Sequence, residues 1–153
     1  ENLSKIIAKE ALTFESLAYE NNTNIETFIK ENIMFNCSNV EIKQLLSILL
    51  DNAIKHSKKD MPIKLTLNEQ KNDIILEVIN YGDPIAKEEE DKIFERFYRL
   101  DKSRNRSSNR YGLGLAIAKS IVINHNGKIT AHSEDGKTIF KIIFKKKNIN
   151  GKI

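Results

Sequence analysis

The chain has 153 residues, enough for one domain with a single core, and we expect one domain spanning 1–153. Hydrophobic residues make up 40% and charged residues 30%, and no apolar run of about eighteen residues is present, so no segment is expected to cross a bilayer. The lone Cys37 excludes an internal disulfide, favours a reducing compartment and is expected to be a small buried hydrophobe. Because the sequence begins at Glu1 rather than Met, we expect a fragment of a longer protein.

The net charge of +4 raises the question of a nucleic-acid partner. Residues 96–110 contain six basic side chains and one acidic one, so this segment alone accounts for the excess. A short basic loop without aromatic platforms for base stacking favours a compact polyanion over a long one. We therefore expect no nucleic acid among the partners.

In the first part of the chain, apolar spacing predicts a helix over 3–20 and then two short strands between residues 25 and 37. Ser38-x-x-Glu41 is a capping sequence and predicts the start of a second helix, which ends near Ser57. The rest of the chain predicts, in order, a strand hairpin over 63–67 and 74–78, a short acidic helix and an aromatic cluster over 86–100, a mobile loop over 101–110, a third helix from 112 to about 125, and strands over 128–133 and 138–144.

The second helix carries a polar strip of chemical interest. Asn52 lies one turn after Ile48 and one turn before Lys55 and His56, so these side chains share a helix face. A neutral amide oxygen suits a magnesium ion that keeps most of its water, and a lysine and an imidazole suit phosphate oxygens. The alternative is an ordinary solvent-exposed helix face.

Two glycine-containing segments suggest close approach of a ligand to the backbone. Asn80 stands at a strand end before Gly82, where a flat ring can approach the chain. Gly112 and Gly114 open the third helix, where bare backbone N–H groups and the helix dipole favour a phosphate. Each segment alone is equally consistent with a simple turn.

Taken in order, these segments resemble the motifs of the histidine kinase ATPase family, over nearly the whole chain. The matching segments are 51–57 for the N box, 80–85 for the G1 box, 93–99 for the F box, 112–118 for the G2 box and 136–140 for the terminal glycine-Thr-x-Phe motif. The F box in particular separates these kinases from other members of the wider ATPase superfamily.

The resemblance implies an α+β fold, a two-layer α/β sandwich in which a mixed sheet of about five strands packs under three helices, with a mobile ATP lid. It implies ATP and Mg²⁺ as ligands, with Asn52 holding the metal. Catalytic candidates are Asn52, Lys55, Arg99 and Arg104, the two arginines serving the terminal phosphate. Nucleotide-binding candidates are Asn52, Lys55, His56, Asn80, Gly82, Ile85, Tyr98, Gly112, Leu113, Gly114, Leu115 and Thr138.

The chain departs from the family at two positions that bear on its chemistry. Asn80 stands where the family usually has the Asp that accepts from the adenine amino group; its amide oxygen can still accept, and its NH2 can donate to the neighbouring ring nitrogen. Ile48 stands where related hydrolytic ATPases carry a glutamate base, and isoleucine cannot take a proton. A gyrase-like or chaperone-like hydrolase is therefore not expected, and phosphoryl transfer remains.

None of the three histidines is expected to accept the phosphoryl group, because His56 belongs to the N box, His125 to a helix end and His132 to a strand. The resemblance places the acceptor histidine on a separate dimerisation domain, with a response regulator served indirectly. It implies a parent that is a membrane-anchored bacterial homodimer, with this domain in the cytoplasm. The alternatives are an anti-sigma-type serine kinase and a non-catalytic nucleotide-sensing module.

Overall fold

The structure is a computed structural model that describes residues 1–98 and 113–146. Within them, five strands form one sheet in the order β1-β2-β3-β5-β4. The strands are β1 (Ile25–Ile29), β2 (Ile63–Gln70), β3 (Asp73–Tyr81), β4 (Gly127–Glu134) and β5 (Lys137–Lys145). β1 runs parallel to β2, whereas the other neighbouring pairs are antiparallel. The mixed sheet of about five strands that the sequence predicts is thus confirmed.

Helices cover one face of this sheet. They are α1 (Leu3–Thr13), α2 (Glu15–Glu20), α3 (Asn39–His56) and α4 (Gly114–Asn124). α1 packs on β1, α3 on β3 and α4 on β4, with α3 between the other two. Side chains on the covered face of the strands alternate with more exposed ones, as period-two patterning requires. The expected two-layer α+β fold is confirmed.

The core lies between the two layers and is built mainly from α3 and the central strands. Leu45, Leu46 and Leu50 of α3 are fully buried, as is Phe144 of β5. Cys37 is only half-buried at the edge of this core, where desolvation raises the pKa of its thiol. No helix in the described part of the chain is long and apolar enough to cross a membrane.

Local signals set the ends of α3, the helix that carries the polar strip. Ser38 is the N-cap, and its hydroxyl accepts a 3.1 Å hydrogen bond from the backbone N–H of Glu41. The helix ends at His56 because Ser57 is extended, with φ −79° and ψ 143°. Lys55 and His56 in the last turn suit the negative end of the helix dipole. The predicted helix is confirmed at both ends.

Three local predictions were wrong. The first helix divides at Phe14, where ψ is 0°, and Thr13 donates to the carbonyl of Lys9, a bond of the kind that bends helices. The second strand before residue 37 is only an isolated bridge from Met34 to Asn2, because the chain turns at Asn32 with φ 61°. The acidic helix is replaced by two short 3₁₀ turns, Lys87–Glu89 and Lys92–Phe94. The predicted loop at 101–110 lies outside the described residues.

Candidate functional site

The polar strip of α3 meets the glycine turn where β3 ends. Lys58, just after α3, donates its backbone N–H to the carbonyl of Tyr81 at 2.7 Å. The Asn80 side chain donates from Nδ2 to the carbonyl of His56 at 3.3 Å. A Cβ on Gly82 would lie 2.1 Å from that same His56 oxygen, so only glycine allows this approach of backbone to backbone. The helix end and the turn therefore form one unit.

A cavity of about 240 Å³ opens at this junction. Its walls are Lys55, His56, Ser57, Lys58, Gly82 and Asp83. Pockets that enclose a drug-sized ligand have volumes of about 300–1,000 Å³, so this one has room for part of such a molecule, such as a heterocyclic ring. The lining is polar and carries charges of both signs.

Asn80 places a hydrogen-bond acceptor inside the protein that has no partner among the described residues. The residue is only 2% exposed. A backbone carbonyl can only accept, so the atom of the Asn80 amide that faces His56 must be Nδ2, and Oδ1 faces the opposite way. Oδ1 accepts no hydrogen bond from any of residues 1–98 and 113–146. Buried acceptors are rarely left unpaired, so this oxygen points to a ligand that donates.

Thr138 lies beside Asn80, because the two residues are partners in the β3–β5 ladder. Its hydroxyl is 2.8 Å from the hydroxyl of Ser133, and Ser133 Oγ accepts a 2.8 Å hydrogen bond from the backbone N–H of Ile85. The glycine turn is thereby tied to β4 and β5. The motifs did not indicate Ser133. The sequence signal that could have done so is alternation along β4, which places the polar Ser133 on the same face as the buried Ile129 and Ala131.

On α3, Asn52 is half-buried, and its side chain makes no hydrogen bond to another residue in the described part of the chain. One turn later, Lys55 Nζ lies 3.4 Å from Asp51 Oδ2. Desolvation lowers the pKa of His56, and the positive charge of Lys55 lowers it further, while Asp83 and Asp51 act in the opposite direction. The strip thus offers a neutral amide oxygen, a lysine charge and an imidazole biased toward its neutral form.

The N-terminus of α4 lies against this strip. A Cβ on Gly114 would meet Ile48 Cγ2 at 3.6 Å, one turn before Asn52 on α3. Leu113 is the N-cap residue, and its side chain makes no capping hydrogen bond; the first turn contains no acidic residue. Among residues 1–98 and 113–146, no side chain caps the first N–H groups of α4, which suits them to an anion.

The structure brings together seven of the predicted site residues and places three more beside them. Around the junction lie Asn52, Lys55, His56, Asn80, Gly82, Ile85 and Thr138, and at the start of α4 lie Leu113, Gly114 and Leu115. Tyr98 packs against the core, and a hydrogen bond to the Glu89 carboxylate raises the pKa of its phenol. Arg99, Arg104 and Gly112 lie outside the described residues.

The chain belongs to the family of histidine kinase-, DNA gyrase B- and HSP90-like ATPases, whose sequence profile matches residues 37–148. Within that family it is similar to sensor histidine kinases, as the motif resemblance predicts. It is 41% identical over 133 residues to the sensor protein DltS of Streptococcus agalactiae serotype V, a match covering 87% of this chain and 33% of DltS. It is 45% identical over 106 residues to the signal transduction histidine-protein kinase ArlS of Staphylococcus haemolyticus, covering 69% of this chain and 23% of ArlS.

The chain therefore spans a third or less of the length of these relatives. Among solved structures, the nucleotide-free catalytic domain of the histidine kinase ThkA matches with a TM-score of 0.82 at 28% identity, covering 95% of this chain and 93% of that one. ThkA has also been solved in complex with the response regulator protein TrrA, where the TM-score is 0.79 at 26% identity, over 95% of this chain and 41% of that one. The likeness spans both layers of the fold and identifies the chain as a histidine-kinase-type ATPase domain.

Proposed function

We propose that this domain binds Mg²⁺-ATP and transfers the γ-phosphoryl group to a histidine on a separate dimerisation domain, from which a response regulator receives it. The observation that carries the proposal is that Oδ1 of the buried Asn80, beside the polar strip of α3, accepts no hydrogen bond from the part of the chain that the structure describes. Adenine supplies the missing donor through its amino group. The lysine and the open start of α4 then lie where a triphosphate needs positive charge and N–H groups.

Asn52 fits a magnesium ion by its chemistry. Among the described residues, no group of three or more His, Cys, Asp or Glu side chains can hold a metal. Mg²⁺ usually keeps several waters and is bound through one or two protein oxygens and the substrate phosphates, so a single amide oxygen suffices. When bound, the ion neutralises phosphate charge, and Asn52 fixes its place relative to α3.

The nature of the acceptor follows from what the site lacks. Ile48 is the residue of α3 that faces Gly114 of α4, and its side chain cannot deprotonate a water molecule. A histidine acceptor needs no such base, because a neutral imidazole nitrogen is itself a nucleophile. Positioning and charge neutralisation are then the main tasks of the domain.

Two of the three histidines of this chain make contacts away from the site, and the third belongs to the site. The His125 ring contacts the carbonyl of Ile121 at 2.8 Å and the backbone N–H of Ser38 at 3.1 Å. His132 lies between the carboxylates of Glu90 and Glu134, at 3.0 and 3.3 Å. His56 lies in the site itself. These contacts support an acceptor outside the chain.

The test is phosphoryl transfer from γ-labelled ATP to a purified histidine-bearing dimerisation domain of a sensor kinase, with this chain as the only ATP-binding component. We expect label on the added domain that is lost in acid and kept in alkali, as for phosphohistidine. Asn52→Ala should abolish transfer. Acid-stable label on a protein hydroxyl would instead indicate a serine kinase, and ATP binding without transfer to any dimerisation domain would indicate a nucleotide-sensing module.

For the whole protein, we infer a membrane-anchored homodimer with this domain on the cytoplasmic side. The support is that the two relatives, of which the matched segments make up 33% and 23%, are named a sensor protein and a signal transduction kinase. Fractionation and cross-linking of the full-length protein test this inference. Recovery of a soluble monomer would contradict it.

A further inference from the structure

We propose that Ser133 is a positioning residue that makes the site selective for adenine, by holding Thr138 as a donor beside the acceptor of Asn80. The inference rests on the proposed function, because it concerns the base of the bound ATP. Its basis is two sets of hydrogen bonds, each anchored by a backbone group, that meet where Asn80 and Thr138 face each other across the β3–β5 ladder. Ser133 belongs to none of the motifs that indicate the nucleotide site.

The acceptor end is fixed by the carbonyl of His56. This oxygen can only accept, so it holds Nδ2 of Asn80 and turns Oδ1 the other way. Asn80 is 2% exposed, and exchanging the two ends of its amide would place Oδ1 against the carbonyl oxygen of His56 and lose this hydrogen bond. Asn80 therefore presents an acceptor to the ligand.

The donor end is fixed by the backbone N–H of Ile85. This group can only donate, and it occupies one lone pair of Ser133 Oγ at 2.8 Å. The hydroxyl proton of Ser133 then has Thr138 Oγ1 as its acceptor, at 2.8 Å. If the direction were reversed, the Ser133 proton would have no acceptor among the described residues. The favoured direction leaves the hydroxyl proton of Thr138, a residue 4% exposed, to be donated to the ligand.

An acceptor beside a donor matches one edge of adenine. The 6-amino group of adenine donates and its N1 accepts, directly or through one water molecule. Hypoxanthine carries the reverse pair, an oxygen that accepts and an N1–H that donates. A site that hydrogen-bonds its ligand rejects a mismatched group because its own buried polar atoms are then left unpaired.

The experiment compares the dissociation constants of ATP and inosine triphosphate by calorimetric titration in the presence of Mg²⁺. The unmodified chain should bind ATP at least about tenfold more tightly, which corresponds to about 1.4 kcal/mol. In Ser133→Ala the Thr138 hydroxyl loses its fixed partner and can donate or accept. The ratio of the dissociation constant of inosine triphosphate to that of ATP should therefore fall by about three- to tenfold. A merely structural role would weaken both nucleotides equally and leave the ratio unchanged.

Ser4→Ala is the matched control. Ser4 Oγ also accepts from a backbone N–H, that of Ile33, at 2.9 Å, and it donates to the carbonyl of Lys30 at 2.6 Å. Ser4 contacts Lys30, which follows the end of β1, at the end of the sheet where Ile29 pairs with Leu67. Asn80 lies at the opposite end of the sheet, near the start of β2. This variant should lose stability without a change in the nucleotide ratio.

Thr138→Val and Ser133→Thr complete the test if Ser133→Ala does not fold. Thr138→Val removes the donor while keeping the shape of the side chain and should narrow the ratio, whereas Ser133→Thr keeps the hydroxyl and should preserve it. An ATP-to-inosine-triphosphate ratio that neither Ser133→Ala nor Thr138→Val changes would overturn the inference and leave the proposed function intact. An unmodified chain that binds neither nucleotide would overturn both.

Discussion

Replacing Gly82 by alanine tests the contact on which the site depends. The added Cβ would lie 2.1 Å from the carbonyl oxygen of His56 and 3.3 Å from its carbon, whereas real Cβ contacts are essentially never under 3.0 Å. Both clashing atoms belong to the backbone, so the last turn of α3 or the end of β3 must move. That movement breaks the 3.3 Å hydrogen bond from Asn80 to His56. Overpacking of this kind costs about 1–3 kcal/mol and the lost hydrogen bond about 1 kcal/mol more, so we expect a loss of about 2–4 kcal/mol.

The assay is thermal unfolding followed by calorimetry, with ATP titration of the same samples. For a domain of this size the expected loss lowers Tm by roughly 5–15 °C, and the Kd for ATP should rise because Oδ1 of Asn80 is no longer held in place. Gly114→Ala is the matched control for the loss of stability alone, since its Cβ would meet only Ile48 Cγ2 at 3.6 Å, an ordinary contact. A Gly82→Ala variant within about 0.5 kcal/mol of the unmodified chain, with unchanged ATP affinity, would refute the reasoning.

Four further predictions concern α3 and α4. Ser38→Ala removes the N-cap of α3 and should lower the free energy of unfolding in urea titrations by about 1 kcal/mol, with unchanged ATP affinity of the folded protein. An equal loss of ATP-binding free energy would contradict the view that the cap lies apart from the nucleotide site. Gly114→Ala should leave stability equal or higher, by up to about 1 kcal/mol, yet weaken ATP binding if a phosphate approaches the start of α4; unchanged binding would place the phosphates elsewhere. Asn52→Ala should abolish Mg²⁺-dependent ATP binding, and binding that still depends on Mg²⁺ would exclude Asn52 as the metal ligand. The pKa of His56 is lowered from 6.5 in the folded chain, so the unfolded chain binds the proton more readily and stability should fall as the pH drops below about 6.5. Urea midpoints measured across that pH range should fall less steeply in His56→Gln than in the unmodified chain.

The fold was predictable where local signals and periodicity agree. α3 has a capping serine, a buried stripe of leucines and a clear end, and each signal concerns residues close in sequence. The hairpin of β2 and β3 follows from strict alternation on both strands. Ordered motifs singled out Asn52, Asn80 and Gly82, and the structure places Asn80 and Gly82 against the last turn of the helix that carries Asn52.

The predictions for the first helix and for the second strand were wrong because apolar spacing indicates which side chains are buried but not which hydrogen bonds a segment makes. Ile33 and Phe35 are buried at alternate positions, as a strand requires, but their segment bridges to the N-terminal segment and not to the sheet. Likewise, apolar spacing continues through Phe14, and only the local hydrogen bond of Thr13 shows the bend.

Long-range contacts within the site were likewise beyond the sequence. Ser133 lies 48 residues from Ile85, and nothing in either segment indicates that their atoms meet. The orientation of the Asn80 amide depends on a carbonyl 24 residues away. The donor and acceptor pattern of the site therefore follows from tertiary structure alone.

The most direct test of the account is a calorimetric titration of the 153-residue chain with a non-hydrolysable ATP analogue, with and without Mg²⁺. We predict Mg²⁺-dependent binding with a Kd in the micromolar range, about −8 kcal/mol, lost in Asn52→Ala and weakened in Gly82→Ala. Absence of binding under both conditions would contradict the assignment of the junction of α3 and β3 as an ATP site.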